Sequence, residues 1–99
     1  SKGASDAGIL TVTSVASTST SGKTKITVSP AKTGSNTYKY KVGDTVTLPA
    51  AGAVLDNTYT EWNGTDEITA ATGKKIVIAE TGSDGKVVNA GVATVTAKA

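Results

Sequence analysis

Oxygen-bearing side chains cluster in the middle of this 99-residue chain, and their types could bind a cation. The cluster consists of Asp56, Asn57, Asn63, Asp66 and Glu67. Carboxylate and amide oxygens are the ligands that Ca²⁺ takes, but the ligand spacing of an EF-hand loop is absent. Asp and Asn in turns commonly bond their own backbone. We therefore interpret these residues as turn formers and predict no metal site, with calcium as the alternative.

Catalysis has few candidate residues, because the chain contains no His and no Cys. Their absence excludes Ser-His and Cys-His nucleophile pairs and the usual structural zinc sites. Chemistry with carboxylates alone needs two carboxyl groups that face each other across a cleft. Asp66 and Glu67 are adjacent, so they point to opposite sides of an extended segment. We predict that the protein is not an enzyme and uses no cofactor.

Four aromatic residues are the candidate ligand-binding site. Trp62, Tyr59, Tyr38 and Tyr40 could form a platform on which sugar rings stack. The competing interpretation places Trp62 in the core, because the chain has no Phe and no other Trp to fill it. The two interpretations differ in the exposure of Trp62, which is high for a binding platform and low for a core residue.

A lysine, an acid and an asparagine suggest one covalent alternative, an intramolecular isopeptide bond. Lys25 lies on an early predicted strand, Asn89 lies near the last one, and Glu80 lies between them. A buried acid can catalyse the formation of such a bond between lysine and asparagine. Any lysine-rich β domain offers similar triplets, so residue type alone leaves this alternative open.

Composition and charge limit the partners of the chain. The net charge of +2 is too small to indicate binding to nucleic acid or to an anionic membrane. No apolar run approaches the roughly 20 residues that span a bilayer, so we predict no membrane insertion. Lys39 and Lys41 alternate with tyrosines, and we interpret them as the solvent side of a strand.

Short runs of β-branched residues between turn clusters predict an all-β domain. The runs that predict strands are residues 9–15, 24–29, 37–42, 45–48, 58–62, 74–80 and 92–97. A pattern of about seven to nine short strands is typical of a small antiparallel β-sandwich or barrel, and immunoglobulin-like topology is compatible with it. Residues 66–73 are the one segment where a helical turn competes. We expect residues 1–8 to be a flexible linker and residues 9–99 to form a single β domain.

The last quarter of the chain predicts the centre of the sheet. Ile76, Val77 and Ile78 are three consecutive apolar residues, which indicates a strand covered on both faces. Asp84-Gly85 follows and is a strong hairpin signal. We therefore predict a central hairpin against which the other strands pair.

Several of these runs together resemble a known kind of module. They read KITVSP at residues 25–30, YKYKVGD at 38–44, WNGT at 62–65, TGKKIVI at 72–78 and AGVATVT at 90–96. From residue 9 onward the chain resembles small all-β, immunoglobulin-like accessory modules in structural proteins of phages that infect Gram-positive bacteria and in bacterial surface proteins. The resemblance implies a non-enzymatic domain on a virion surface, an extracellular surface or a cell surface.

Two functional hypotheses follow from this resemblance. The first, which we favour from the sequence, is a structural or decoration module on the capsid or tail of a virion, which contacts neighbouring structural protein subunits. The second is a carbohydrate- or ligand-binding module of an exported bacterial surface protein, whose partner is a cell-surface glycan.

Overall fold

Eight short strands build the part of the chain that the structure describes, which is residues 8–29, 31–32 and 34–99 of a computed structural model. The strands are β1 (Gly8–Ile9), β2 (Thr11–Ala16), β3 (Lys23–Ser29), β4 (Thr37–Gly43), β5 (Thr60–Trp62), β6 (Ile68–Thr69), β7 (Lys75–Thr81) and β8 (Val87–Thr94). No helix occurs among these residues, so none is present that could cross a membrane. The predicted all-β class is confirmed.

The strands form two sheets that pack face to face. One sheet has five strands in the order β1-β8-β7-β4-β5, and the other has three in the order β2-β3-β6. All pairs are antiparallel except β1 with β8, which is parallel. Separation of β2, β3 and β6 from β4, β7 and β8 is compatible with immunoglobulin-like topology. The core lies between the sheets, where Leu10 and Ile26 pack with Ile76 and Ile78.

Strand β7 lies at the centre of the larger sheet, as the three consecutive apolar residues predict. Ile76, Val77 and Ile78 are each 0% exposed. Ile76 and Ile78 face the core between the sheets. On the other face, Ala79 packs with Val87 and is covered by the connection between β4 and β5.

The hairpin of β7 and β8 is present, but its second strand begins earlier than predicted. β8 starts at Val87 and not at residue 92, and Val87 pairs with Thr81. The register shifts between Glu80 and Thr81, so Val88 is an extra residue in β8. The bulge explains why the apolar pattern alone did not locate the start of this strand.

The first predicted strand, residues 9–15, is in fact two strands in different sheets. β1 pairs with β8, whereas β2 pairs with β3. Leu10, the residue between them, is 3% exposed, and its amide donates to the carbonyl of Ala90 at 2.9 Å. The mixed apolar pattern of this segment arises because the chain crosses from one sheet to the other at Leu10. Residues 1–7 of the predicted linker lie outside the described residues, and Gly8 begins β1.

The predicted strand at residues 45–48 is wrong. β7 pairs with residues 37–43 of β4 and β5 pairs with residues 38–40, whereas residues 45–48 pair with no strand. The connection instead crosses the outer face of the larger sheet, where Leu55 packs against that face and Val54 is 71% exposed. The competing helical turn at residues 66–73 is also absent, because β6 and a turn occupy this segment.

The crossing at Leu10 depends on a glycine in β8. A Cβ atom at Gly91 would lie 2.3 Å from the carbonyl oxygen of Leu10 and 2.8 Å from Cγ2 of Val12. The oxygen of Leu10 is a backbone atom, and the amide of Leu10 is bonded to the carbonyl of Ala90, so this part of the chain cannot move away freely. Gly91 therefore permits β8 to approach closely the backbone at Leu10, where the chain crosses between the sheets.

We predict that Gly91→Ala lowers the free energy of unfolding by about 1–3 kcal/mol, the usual range for overpacking. Chemical denaturation followed by Trp62 fluorescence measures it. Gly82→Ala is the matched control, because its Cβ would meet no backbone atom and its nearest contact would be Oδ1 of the exposed Asp84 at 3.3 Å. We expect the control to change stability by less than about 0.5 kcal/mol. Equal stability of the two variants would contradict the role of Gly91.

Candidate functional site

A row of side chains crosses the inner face of the larger sheet at the end where β1 begins. The register places Trp62 opposite Tyr38, Tyr38 opposite Glu80, and Glu80 opposite Asn89. Directly opposed residues share a face of the sheet. The row therefore contains two of the four predicted ligand-binding aromatics together with two members of the predicted isopeptide triplet.

Trp62 and Tyr38 lie in the core. They are 8% and 5% exposed, and their ring centroids are 5.5 Å apart with an angle of 38° between the ring planes. The indole Nε1 of Trp62 donates to the carbonyl oxygen of Asp66 at 2.8 Å, so the buried polar atom is satisfied. The low exposure of Trp62 is the outcome expected of a core residue and not of an open sugar platform.

A shallow depression of about 530 Å³ lies beside this aromatic pair. It is lined by Thr37, Tyr38, Tyr40, Glu61, Trp62, Asn63, Asp66, Glu67 and Ile68. Tyr40 is half-buried and packs against the core from here. The carboxylate of Glu67 accepts a hydrogen bond from the hydroxyl of Ser17 at 2.8 Å. The depression thus combines the edges of three aromatic rings with a rim of three carboxylates.

Tyr59, the fourth predicted aromatic, lies in a different place. It belongs to the connection before β5, and the Nζ of Lys41 is 5.9 Å from its ring centroid. Its neighbours Leu55 and Asp56 line a separate depression of about 310 Å³. The structure therefore brings Tyr38, Tyr40 and Trp62 together and leaves Tyr59 apart from them.

Glu80, a member of this row, is buried, and its two carboxylate oxygens accept hydrogen bonds from different donors. It is 1% exposed. Oε1 accepts from Nδ2 of Asn89 at 2.9 Å, and Oε2 accepts from Nδ2 of Asn36 at 2.8 Å. Burial of a carboxylate costs several kcal/mol unless such bonds compensate for it. The two asparagines therefore tie the start of β4 and the start of β8 to the central strand.

The isopeptide triplet is not assembled, although two of its members touch. Lys25 lies on β3 in the smaller sheet, pairs with Val15 and is exposed, whereas Glu80 and Asn89 belong to the larger sheet. Asn36, which sequence reasoning missed, takes part in the cluster instead. Alternation along β7 could have indicated that Glu80 shares the inward face with Ile76 and Ile78.

Two of the oxygen-bearing side chains of the middle segment, Asp56 and Asn63, bond their own turns. Oδ1 of Asp56 accepts from the amide of Thr58 at 2.9 Å, and the hydroxyl of Thr58 also bonds to it. These bonds lower the pKa of Asp56. Oδ1 of Asn63 accepts from the amides of Thr65 at 2.9 Å and Asp66 at 2.8 Å. Within the described residues no group of three or more His, Cys, Asp or Glu side chains could hold a metal ion.

Comparison with known proteins identifies the class to which this two-layer β domain belongs. Residues 17–98 match the family model described as S-layer protein SbsC C-terminal domain. A solved structure titled "Structure of surface layer protein SbsC, domains 4-9" superposes with a TM-score of 0.71 at 28% sequence identity. The match covers 94% of this chain but 14% of that one. No curated protein matches the chain.

The fold and the matches define a module of a bacterial surface protein. More specifically, the chain belongs to the family of S-layer protein SbsC C-terminal domains. The sequence-based resemblance to bacterial surface modules is thereby supported. Neither match points to a phage.

Two tyrosines give the protein a testable response to alkaline pH. Burial raises the pKa of Tyr38 above 10.0; a backbone hydrogen bond from Lys32 opposes this, and the nearby charge of Glu80 adds to it. Burial and the charge of Asp56 raise the pKa of Tyr59 above the same value. The folded chain therefore keeps both protons to higher pH than the unfolded chain does. This contribution to stability is complete below pH 10 and is lost as the pH rises above it.

We predict that the free energy of unfolding falls above pH 10 and that Tyr38→Phe makes this fall smaller. The variant keeps the ring but has no phenol to ionise. Denaturation curves on both sides of pH 10 measure the effect, and titration of phenolate absorbance follows the ionisation directly. Lysines also titrate in this range, so the comparison is the pH slope of the variant against that of the parent chain. Identical slopes would refute the assignment to Tyr38.

Proposed function

We propose that this chain is a structural module of a bacterial surface-layer protein that acts by contacting neighbouring protein modules and not by catalysis. The module corresponds to the predicted single domain at residues 9–99. The observation that carries the proposal is the family match over residues 17–98. The structural likeness supports it, since one copy of this fold spans 14% of a chain whose title names domains 4–9.

The distribution of aromatic residues supports contact between proteins more than ligand binding. Trp62 and Tyr38 stabilise the core, and their ring faces are not open to a sugar. The outside of the described chain instead carries scattered apolar side chains, among them Ile9 at 66% and Val92 at 42% exposure. Single exposed apolar side chains are ordinary on protein surfaces, so the support for protein contacts comes from the family match and not from these residues.

We predict that antibodies against the 99-residue chain label the outside of intact cells of the organism that encodes it. Immunogold electron microscopy measures the label, and permeabilised cells serve as the control for internal protein. A regular surface coat that carries the label would support the proposal. Label found on phage particles and absent from the cell surface would overturn it in favour of virion decoration.

A glycan-binding role is the second candidate, because Tyr38, Tyr40 and Trp62 line one depression. In this proposal a polar ligand meets the half-buried ring of Tyr40 and hydrogen-bonds to the carboxylates of Glu61 and Asp66. Tyr59, which lies elsewhere, would not take part. Cell-surface glycans are the ligand class that the aromatic and carboxylate lining suits.

We predict that acrylamide quenches Trp62 fluorescence weakly in the folded chain and strongly after denaturation, because Trp62 is 8% exposed. If the chain acts only through protein contacts, soluble cell-wall glycan fragments should leave the emission unchanged. If the depression binds glycan, the emission should shift, and Tyr40→Ala should abolish the shift. Tyr59→Ala is the matched variant and should not affect binding. A glycan response that survives Tyr40→Ala would rule out this depression as the site.

A further inference from the structure

We propose that this module resists tension along its strands, and that the parallel pair of β1 and β8 is the clamp that resists it. The proposal deepens the surface-layer role, because a module that is linked to others in one polypeptide is pulled at its two ends. It rests on the path of the chain through the two sheets.

The parallel pair places the entry and the exit of the domain at opposite ends. Gly8 lies opposite Asn89 and Ile9 lies opposite Ala90, near the start of β8. The chain leaves beyond the end of β8, and Lys98 is nine positions after Asn89. At roughly 3.3 Å per extended residue, the exit lies about 30 Å from the entry along the strand direction. An antiparallel pair of first and last strands would have placed both at the same end.

Tension on the two ends therefore loads β1 and β8 in shear. The pull on β1 and the pull on β8 run along the strands in opposite directions, whereas the hydrogen bonds between them run across. One of these bonds joins the amide of Leu10 to the carbonyl of Ala90 at 2.9 Å. Bonds loaded in shear share the force and must break together. Bonds loaded by peeling break one at a time and at lower force.

Packing at the crossing point keeps β1 from sliding along β8. The side chain of Leu10 is 3% exposed and belongs to the core between the sheets. The carbonyl oxygen of Leu10 is only 2.3 Å from the position that a Cβ atom on Gly91 would occupy. A shift of the entering strand by one residue would remove Leu10 from the core and drive a neighbouring side chain against β8.

A second attachment joins β2 to the leaving segment, which is residues 95–99 beyond the end of β8. Oγ of Ser14, on β2, accepts a hydrogen bond from the amide of Thr96 at 2.9 Å. The two partners are 82 positions apart in the chain. This bond connects β2, which continues the chain from β1 after the crossing at Leu10, directly with the segment that transmits tension at the other end of the module.

The leaving segment is also fastened to both sheets. The amide of Val95 donates to the carbonyl of Lys74 at 2.8 Å, and the amide of Lys98 donates to the carbonyl of Lys23 at 3.0 Å. Lys74 precedes β7 in the larger sheet, and Lys23 begins β3 in the smaller one. A pull on the last residues is thus distributed to both layers.

The test is single-molecule force spectroscopy in two pulling geometries. The chain has no cysteine, so introduced cysteines are unique attachment points. The shear geometry uses cysteines added at the two chain ends. The peeling geometry uses the first of these with Ser83→Cys, an exposed position in the turn before β8, at the end of the module where β1 begins. Trp62 fluorescence verifies that each variant is folded before it is pulled.

We expect the lifetime at a fixed tension to be at least about tenfold longer in the shear geometry than in the peeling geometry, which corresponds to about 1.4 kcal/mol of barrier. Ser14→Ala also removes a 2.6 Å bond to the hydroxyl of Thr24 on β3, so we expect it to shorten both lifetimes, and by a larger factor in shear than in peeling. Thr13→Ala, an exposed neighbour on the same strand, is the matched control and should change neither.

Equal lifetimes in the two geometries would overturn the proposal. Shortening of both lifetimes by the same factor in Ser14→Ala would show general destabilisation and would overturn the role of that bond. The outcome is independent of immunolabelling. If the chain shows the longer lifetime in shear but antibodies do not find it on cell surfaces, the surface-layer role is refuted and the clamp is still supported.

Discussion

The burial of β7 from Ile76 to Thr81 is the constraint on which the rest of this structure depends. A strand that is shielded from water needs a partner for every backbone amide and carbonyl group, because an unpaired buried group costs about 1–3 kcal/mol. β4 and β8 supply these partners on the two sides of β7. The smaller sheet covers one face of the strand, and the connection between β4 and β5 covers part of the other. The sandwich and its outer connection are therefore both consequences of one apolar strand.

The same constraint explains the polar cluster at the end of the strand. Glu80 continues the inward face of Ile76 and Ile78, so it is drawn into the interior although it carries a carboxylate. Asn36 and Asn89 satisfy its two oxygens from the segments on either side. Loss of one partner would leave a buried charge poorly compensated, whereas exposed charges tolerate such loss. The cluster thus specifies how β4 and β8 are placed against β7 at this end of the sheet.

Local patterns in the sequence predicted which segments form strands and which of their side chains face inward more successfully than they predicted how the strands pair. The apolar run at Ile76, Val77 and Ile78 indicated a central strand, and alternation in residues 37–42 indicated which side chains face inward. Residues 45–48 alternate equally well, yet they pair with no strand and belong to the connection between β4 and β5. Leu10 is part of one apolar run in the sequence but lies at the junction between two sheets. The strand with which a segment pairs, and the sheet to which it belongs, depend on the whole chain. The periodicity of one segment therefore does not predict them.

The candidate site was predictable to the same degree. Residue type alone selected Trp62 and three tyrosines, since these are the aromatic residues of the chain. Type did not reveal that Tyr38 and Trp62 meet through the pairing of β4 with β5, or that Tyr59 lies in the outer connection. Asn36 gave no local signal, because its importance arises from Glu80, 44 residues later in the chain.

Scarcity of large side chains connects the fold with the function. A buried aromatic side chain removes about 150–250 Å² from water, and this chain has no Phe to supply that area. Trp62 and Tyr38 must therefore serve the core, and turning either of them outward to bind a ligand would remove a large part of the packing at that end of the sandwich. A domain that uses its aromatic residues in this way retains its backbone path, its strand edges and its outer side chains for contact with other molecules. Those features suit a structural module whose neighbours are other proteins.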